Sequence, residues 1–187
     1  LALYLSSLGK IERNDFEGAL VDARDLYNRE KNNSHVRYHL ANLYHRTGRI
    51  DEAIALLQSI WGSDDLYKVL AGNDLAYLLA VHKPERLDEA AQIARTAYRF
   101  SPNTPAMLDT VGWIEHLRGD NQQAIDFLNQ AIVSMPDSAE VHYHLGVVYN
   151  QLGNQTWARY HLTEAARSDS GIKEVREAKN LLSSLGG

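Results

Sequence analysis

Along most of the chain apolar residues return every three or four positions, and each such run ends in a short polar or glycine-bearing turn. That period is helical, so the pattern predicts a succession of amphipathic helices and no strand. In residues 105–138, Leu108, Val111, Gly112 and Ile114 precede the turn Arg118-Gly119-Asp120-Asn121, and Ala124, Ile125, Leu128 and Ala131 follow it. Two helices folded back on each other satisfy this arrangement. It recurs at a fixed step: Pro102 and Pro136, Gly112 and Gly146, Gly119 and Gly153, Ala124 and Ala158, Leu128 and Leu162, and Ala131 and Ala165 are each 34 residues apart. Upstream, Ala19 to Ala53 and Ala90 to Ala124 keep the step of 34, whereas Ala53 to Ala90 is 37. Ala41 to Ala76 is 35, which puts one extra residue near Gln58–Tyr67. The other two fall at the turn around His82–Arg86, where Pro84 breaks a helix. Small residues stand at Ala41, Ala76, Gly112 and Gly146 in the first helix of each pair, and at Ala53, Ala90, Ala124 and Ala158 in the second, as close approach of two helices requires.

The last full unit carries Leu145, Gly146, Tyr149, Ala158, Leu162 and Ala165, with Ser170 at its end. The unit before it carries Leu108, Val111, Gly112, Ala124, Leu128, Ala131 and Pro136. Earlier units offer Leu75, Ala76, Leu79, Ala90, Ala94, Ala97 and Pro102, and Leu40, Ala41, Tyr44, Ala53, Leu57 and Ile60. On these residues the units resemble tetratricopeptide repeats, up to about residue 171. The departures are Glu115, where the family has Tyr, Ser170, where it has Pro, and Ser6-Ser7, where it has Leu-Gly. The resemblance implies an all-α, right-handed superhelical solenoid of helical hairpins. It divides the chain as one solenoid domain into a degenerate or partial repeat at 1–33, repeats at 34–68, 69–104, 105–138 and 139–171, and a terminal helix at 172–187. Ile172, Val175, Ala178, Leu181, Leu182 and Leu185 give that helix one apolar face to cover the edge of the last repeat. Eleven helices are therefore expected: five hairpins, the first imperfect, and a cap. The cap is expected to end the domain. No matching polar cap precedes residue 1, so the chain is expected to be a fragment of a longer protein.

Composition narrows the chemistry. The 187 residues hold 19 Lys and Arg against 24 Asp and Glu, a net charge of −5, with no basic block to follow a phosphate backbone, so nucleic acid is not an expected partner. Cys is absent, which removes disulfides, Cys-ligated zinc and thiol nucleophiles and leaves the compartment open: periplasmic, outer-membrane-associated and cytoplasmic placements in a bacterium all stand. No apolar run is long enough to insert into a membrane. Phosphate loops and nucleophile elbows are missing, and Asp51-Glu52 and Asp88-Glu89 open second helices, where negative charge complements the helix dipole. The chain reads as a non-enzyme without cofactor. His35 and His39 share a helix face at ligand spacing but lack a nearby acidic partner in sequence, and His142 and His144 point to different faces. No metal site is expected.

The resemblance implies a concave groove lined by first-helix side chains. In the second repeat these are Tyr38, His39, Asn42, His45 and Arg46, with His35 at the start of the helix; in the third they are Asn73, Asp74 and Tyr77. In the fourth they are Asp109, Thr110, Trp113 and His116, and in the fifth Glu140, Tyr143, His144, Asn150 and Gln151. Aromatic rings among Asn, His and Arg suit capture of a peptide, because rings bury area at low entropy cost and amides pair with an extended backbone. Family members that grip a terminal carboxylate use Lys, Asn and Arg where this chain has Tyr38, Asn42, Asp74, Ala106 and Thr110, so that cationic clamp is missing. The leading function is a scaffold for a protein or peptide partner in a bacterial assembly. The strings "NDLAYLLA" and "AYRFSPNTPAMLDTVGWIEHLRGD" are also similar to repeats of bacterial proteins and lipoproteins of exopolysaccharide-export and exosortase systems. This keeps two alternatives open: a carbohydrate-handling role, in which Tyr38, Tyr77, Trp113 and Tyr143 stack on sugar rings of a polysaccharide, and self-association through repeat edges.

Overall fold

A computed structural model describes residues 2–102 and 104–185. Among the described residues it contains eleven α-helices, one 3₁₀ turn and no strand. No helix among them is long and apolar enough to cross a membrane. The chain divides into two compact units, Leu1–Ile93 and Ala94–Gly187.

The first unit holds α1 (Ala2–Glu12), α2 (Phe16–Arg29), α3 (Ser34–Arg46), α4 (Ile50–Trp61) and α5 (Lys68–His82), and the 3₁₀ turn Pro84–Arg86 leads into α6 (Leu87–Phe100). Each of the helices α1 to α4 packs on the next. The first hairpin, which departs from the family at Ser6-Ser7, is formed by α1 and α2. Ser7 takes the small-residue place, is fully buried, and its hydroxyl donates to the Ala19 carbonyl at 3.1 Å. Serine works there because it is small and because that bond satisfies its buried oxygen. Between α4 and α5 the close contact is made by Gly72, where an added Cβ would lie 2.5 Å from Cε3 of Trp61.

The second unit contains α7 (Pro105–Leu117), α8 (Asn121–Ser134), α9 (Ala139–Gln151), α10 (Gln155–Ala166) and α11 (Lys173–Leu185). Its main core is built from Leu108, Ala124, Leu128, Ala131, Val141, Leu145 and Val148. Gly112 and Gly146 lie against the second helices: a Cβ at Gly112 would meet Leu128 Cγ at 2.8 Å, and one at Gly146 would meet Leu162 Cγ at 2.6 Å. The terminal helix α11 packs on α10 and α9, burying Ala178 with Leu162 and Ala165 beneath Leu181, Leu182 and Leu185. Arg159 of α10 donates to the Leu185 carbonyl and holds its end. Glu115, standing where the family has Tyr, is 1% exposed, and its carboxylate is gripped by Arg95 at 2.7 Å and Arg118 at 3.2 Å.

Four hairpins turn through the same backbone device. Asn14, Gly48, Gly119 and Gly153 each have positive φ, from 60° to 89°. The residue after each donates back five positions, as in Asp15 N to Lys10 O at 2.9 Å and Asn154 N to Tyr149 O at 2.9 Å, closing a Schellman motif. In three of the four turns that same residue, Asp15, Asp120 or Asn154, caps the following helix with its side chain. The turn before α6 differs. It uses the proline-led 3₁₀ segment, and from Ala76 to Ala90 the chain spans two more residues than the other hairpins do between the same positions, at the place where the sequence period slips.

Candidate binding surfaces on the first helices

In the first unit, α1, α3 and the start of α5 assemble an aromatic and histidine network. Tyr38 donates from its hydroxyl to Asp74 Oδ2 at 2.7 Å and stacks on Tyr67 with centroids 5.1 Å apart. Burial, and then the charge of Asp74, push the Tyr38 hydroxyl well above the usual phenol range. Burial also raises the Asp74 carboxyl, against the hydrogen bonds from Tyr38 and Asn73 that favour its charged form. His35 Nδ1 lies 2.7 Å from the Tyr67 hydroxyl. Because Ser7 gives its hydrogen to Ala19, its oxygen accepts from His39 Nε2–H at 2.9 Å, which fixes the His39 tautomer. Burial and the neighbouring His35 lower the His39 pKa, so its ring stays neutral. Tyr4 packs edge-on against both His35 and His39.

The expected groove residues of this unit separate by position. Tyr38, His39, Asn42, Asn73, Asp74 and Tyr77 are half-buried, and Asn42 donates to the Tyr38 carbonyl at 3.1 Å. His45 and Arg46 are exposed. Arg46 lies away from the network, its guanidinium 4.7 Å above the Phe16 ring at a polar cavity of about 300 Å³ lined by Asn14, Asp15, Glu17 and Thr47. The sequence reading omits Tyr4 and Tyr67. Tyr4 was findable, since it stands one step of 34 before Tyr38, in the repeat expected to be imperfect. Tyr67 sits between hairpins, where the period says nothing.

In the second unit the expected groove residues lie deeper. Asp109, Thr110, His116 and His144 are 5%, 4%, 8% and 1% exposed. His144 donates from Nδ1 to Asp109 Oδ1 at 2.8 Å, and half-buried Trp113 covers the imidazole, stacked with centroids 4.2 Å apart. Burial opposes the charged imidazolium, but the charge and hydrogen bond of Asp109, with Glu140 and Glu174 behind them, outweigh it and raise the His144 pKa. Tyr143 is half-buried against α11, and burial followed by hydrogen bonding to Glu177 pushes its hydroxyl far above the usual range. His116 Nδ1–H points to Asn121 Oδ1 at 2.7 Å, and Asn150 Oδ1 accepts from Gln155 at 3.3 Å. Both therefore engage the start of the second helix of their own hairpin. Trp113, Glu140 and Tyr143 are half-buried on this face, and Gln151, at the end of α9, is exposed.

A second aromatic group, which the sequence reading passes over, lies on α9 and α10. His142 Nε2–H donates to the Pro136 carbonyl at 3.0 Å, leaving Nδ1 to accept from His161 Nδ1–H at 2.9 Å. His161 lies parallel to Tyr149, with centroids 5.7 Å apart, and beside Trp157 and Tyr160, which are 49% and 50% exposed. The spacing of Trp157, Tyr160 and His161 on one helix face was the available signal.

Comparison with known proteins agrees with this architecture. Residues 10–68 match the family described as Tetratricopeptide repeat and residues 112–153 the family described as TPR repeat, together more than half of the chain. A TPR repeat-containing protein of Pseudomonas aeruginosa is 39% identical over 77 residues, which are 41% of this chain and 13% of that protein's length. Among solved structures, a thermophilic TPR protein of Thermus thermophilus superposes with a TM-score of 0.77 at 16% identity, covering 98% of this chain and 97% of that one. The APC/C hetero-tetramer Cut9–Hcn1 gives 0.84 at 14% identity, with 98% of this chain matched to 35% of that one. MamA from Desulfovibrio magneticus RS-1 gives 0.67 at 16% identity and 96% coverage of each chain. At such identities the structures establish the fold alone, and none of these matches carries a link to exopolysaccharide export. On the matches over residues 10–68 and 112–153, the chain belongs to the tetratricopeptide repeat family.

Proposed function

We propose that this chain is a non-catalytic interaction module that captures an extended peptide or a protein edge on the first-helix faces of its hairpins, within a bacterial assembly. The family supports the scaffold role, since tetratricopeptide repeats bind protein or peptide partners. The observation that carries the groove assignment is the state of the aromatic side chains on those faces. Tyr38 is locked by Asp74 and Tyr67, and Trp113 is locked by His144, so each ring is held in place before a partner arrives. Rings fixed in advance lose little entropy on binding, which is the behaviour of interface anchors. The lining is aromatic, amide and carboxylate rather than cationic, which favours backbone and apolar recognition over an acidic chain terminus.

Selection of displayed random peptides against the whole chain tests the reading. Selected peptides are expected to lose at least about tenfold in affinity on Trp113→Ala or Tyr38→Ala, in line with ~2 kcal/mol for an interface anchor. Val133→Ala, at a residue 80% exposed on α8, serves as the control and should change nothing. Peptides that bind the two aromatic variants as well as the parent would refute the groove assignment, and failure to select any sequence would refute peptide capture.

A further inference from the structure

Asp109 on α7 and Glu140 and His144 on α9 each bring one donor atom to within 4.8 Å of the others. Glu140 and His144 are four residues apart on one helix, which sets both side chains on the same face one turn apart. Asp109 reaches them from the preceding hairpin. Two of the three are dry, Asp109 at 5% and His144 at 1% exposed, and Trp113 lies flat on the imidazole and keeps it from swinging away. His35 and His39 stand at the same i, i+4 spacing on α3. His35 Nδ1 pairs with Tyr67 and His39 Nε2 with Ser7, whereas Glu140 and His144 come together with a third donor, Asp109.

We propose that Asp109, Glu140 and His144 bind a divalent transition-metal ion of the zinc and cobalt class, bridging α7 and α9. One imidazole nitrogen and two carboxylate oxygens are a donor set such ions accept, with the fourth position left to water. At bonds of ~2.0–2.2 Å, donor atoms on one ion stand ~3.3 Å apart in a tetrahedron and no more than ~4.4 Å apart in any geometry. The three donors, within 4.8 Å of one another, therefore close by up to ~1.5 Å on the ion, a shift within the reach of side-chain rotation. The ion takes the place of the hydrogen that His144 Nδ1 now gives to Asp109, leaving the ring neutral with its hydrogen on Nε2. Where His144 begins as the imidazolium, one proton is released, so affinity falls as pH drops. Asp109 and His144 are buried and Trp113 lies over the imidazole, which suits a small bare ion better than a Lys or Arg side chain of a partner.

Calorimetric titration of Zn²⁺ into the whole chain at about pH 7.5 provides the test, with helix content followed by circular dichroism. One ion per chain is expected, with a Kd below ~0.1 mM. Asp109→Asn and Glu140→Gln should each weaken binding at least about tenfold with helix content unchanged. His35→Gln should leave affinity as it is, and lowering the pH to about 6 should weaken it in the parent. Should Asp109→Asn disturb the fold, Glu140→Gln, at a half-buried residue in the first turn of α9, still reads the site. No binding up to ~1 mM Zn²⁺, or an affinity indifferent to both carboxylate changes, would overturn the proposal.

Discussion

Alanine substitutions at three helical glycines should change stability in opposite directions, and the contacts around each decide the sign. At Gly146 an added Cβ would lie 2.6 Å from Leu162 Cγ, 2.8 Å from its Cδ2 and 3.2 Å from its backbone nitrogen. Carbon atoms prefer ~3.5–4.0 Å, so Leu162 must retreat by about 1 Å. It has nowhere to go: it is fully buried, backed by Ala165 and Ala178 under the terminal helix. Overpacking of this kind costs ~1–3 kcal/mol, while the higher helix propensity of alanine returns ~1 kcal/mol. Gly146→Ala is therefore expected to destabilise by up to ~2 kcal/mol, and Gly112→Ala, whose nearest contact is Leu128 Cγ at 2.8 Å, somewhat less. At Gly9 the nearest atom to a new Cβ is Arg13 Nη1 at 3.7 Å, so only propensity acts and Gly9→Ala should stabilise by up to ~1 kcal/mol. Urea unfolding followed by far-ultraviolet circular dichroism, with the slope checked for constancy, measures all three. A midpoint for Gly146→Ala at or above that of the parent would refute the described seating of α9 on α10.

Three further outcomes follow from buried charge and from the terminal helix. Burial and then His142 lower the His161 pKa to about 4, against 6.5 for the free residue, so the unfolded chain takes up a proton that the native state refuses as pH falls from about 6.5 to 4. Stability due to this residue is complete above that window and declines within it by up to ~3 kcal/mol; His161→Phe, which keeps a ring beside Tyr149, should flatten the urea midpoint across those pH values, and identical slopes would exclude the effect. Glu115→Gln should cost ~1–2 kcal/mol by unfolding titration, since it weakens both arginine contacts of a carboxylate that is 1% exposed, while Arg95 and Arg118 can turn to water; an unchanged midpoint would mean that the pair stabilises nothing. Removing residues 173–185 should uncover Leu162, Ala165 and Tyr143, lower the melting temperature and promote association in sedimentation, whereas an unchanged monomer with an unchanged melting temperature would make α11 an appendage.

The hairpins could be read from the sequence because their constraint is local and repeated. Ala19, Ala53, Ala90, Ala124 and Ala158 are each fully buried at the fourth residue of a second helix, and a position with one packing solution per repeat declares itself by spacing. The first hairpin was harder, since Ser7 meets the same size limit with a polar atom whose partner, a backbone carbonyl, has no sequence signature. The faces of the first helices were also readable, but not what stands on them. Period locates Asp109, Thr110 and His144 on α7 and α9, whereas their burial depends on where the ring of Trp113 lies and on the neighbouring helices. Tyr143 likewise meets Glu177 of the terminal helix, an element outside the repeat and so outside any argument from it. Arg46 was assigned by helix position alone, and its long side chain instead found Phe16.

The odd turn between α5 and α6 shows how length and packing come apart in this chain. Four hairpins turn through a left-handed residue that fixes the number of atoms between helices, yet this one carries two more residues between Ala76 and Ala90 and still delivers Ala90 to full burial. Downstream of Arg86 the register of the other hairpins is restored, with Ala90 at the fourth residue of α6, and Arg86 and Glu89 pair at 2.8 Å across the first turn. Pro84 and Glu85 are exposed. An epitope, a fluorophore-bearing cysteine or a surface tether spliced between them would thus hang from a connection already built to vary, giving the chain a handle at a place the packing of its helices does not use.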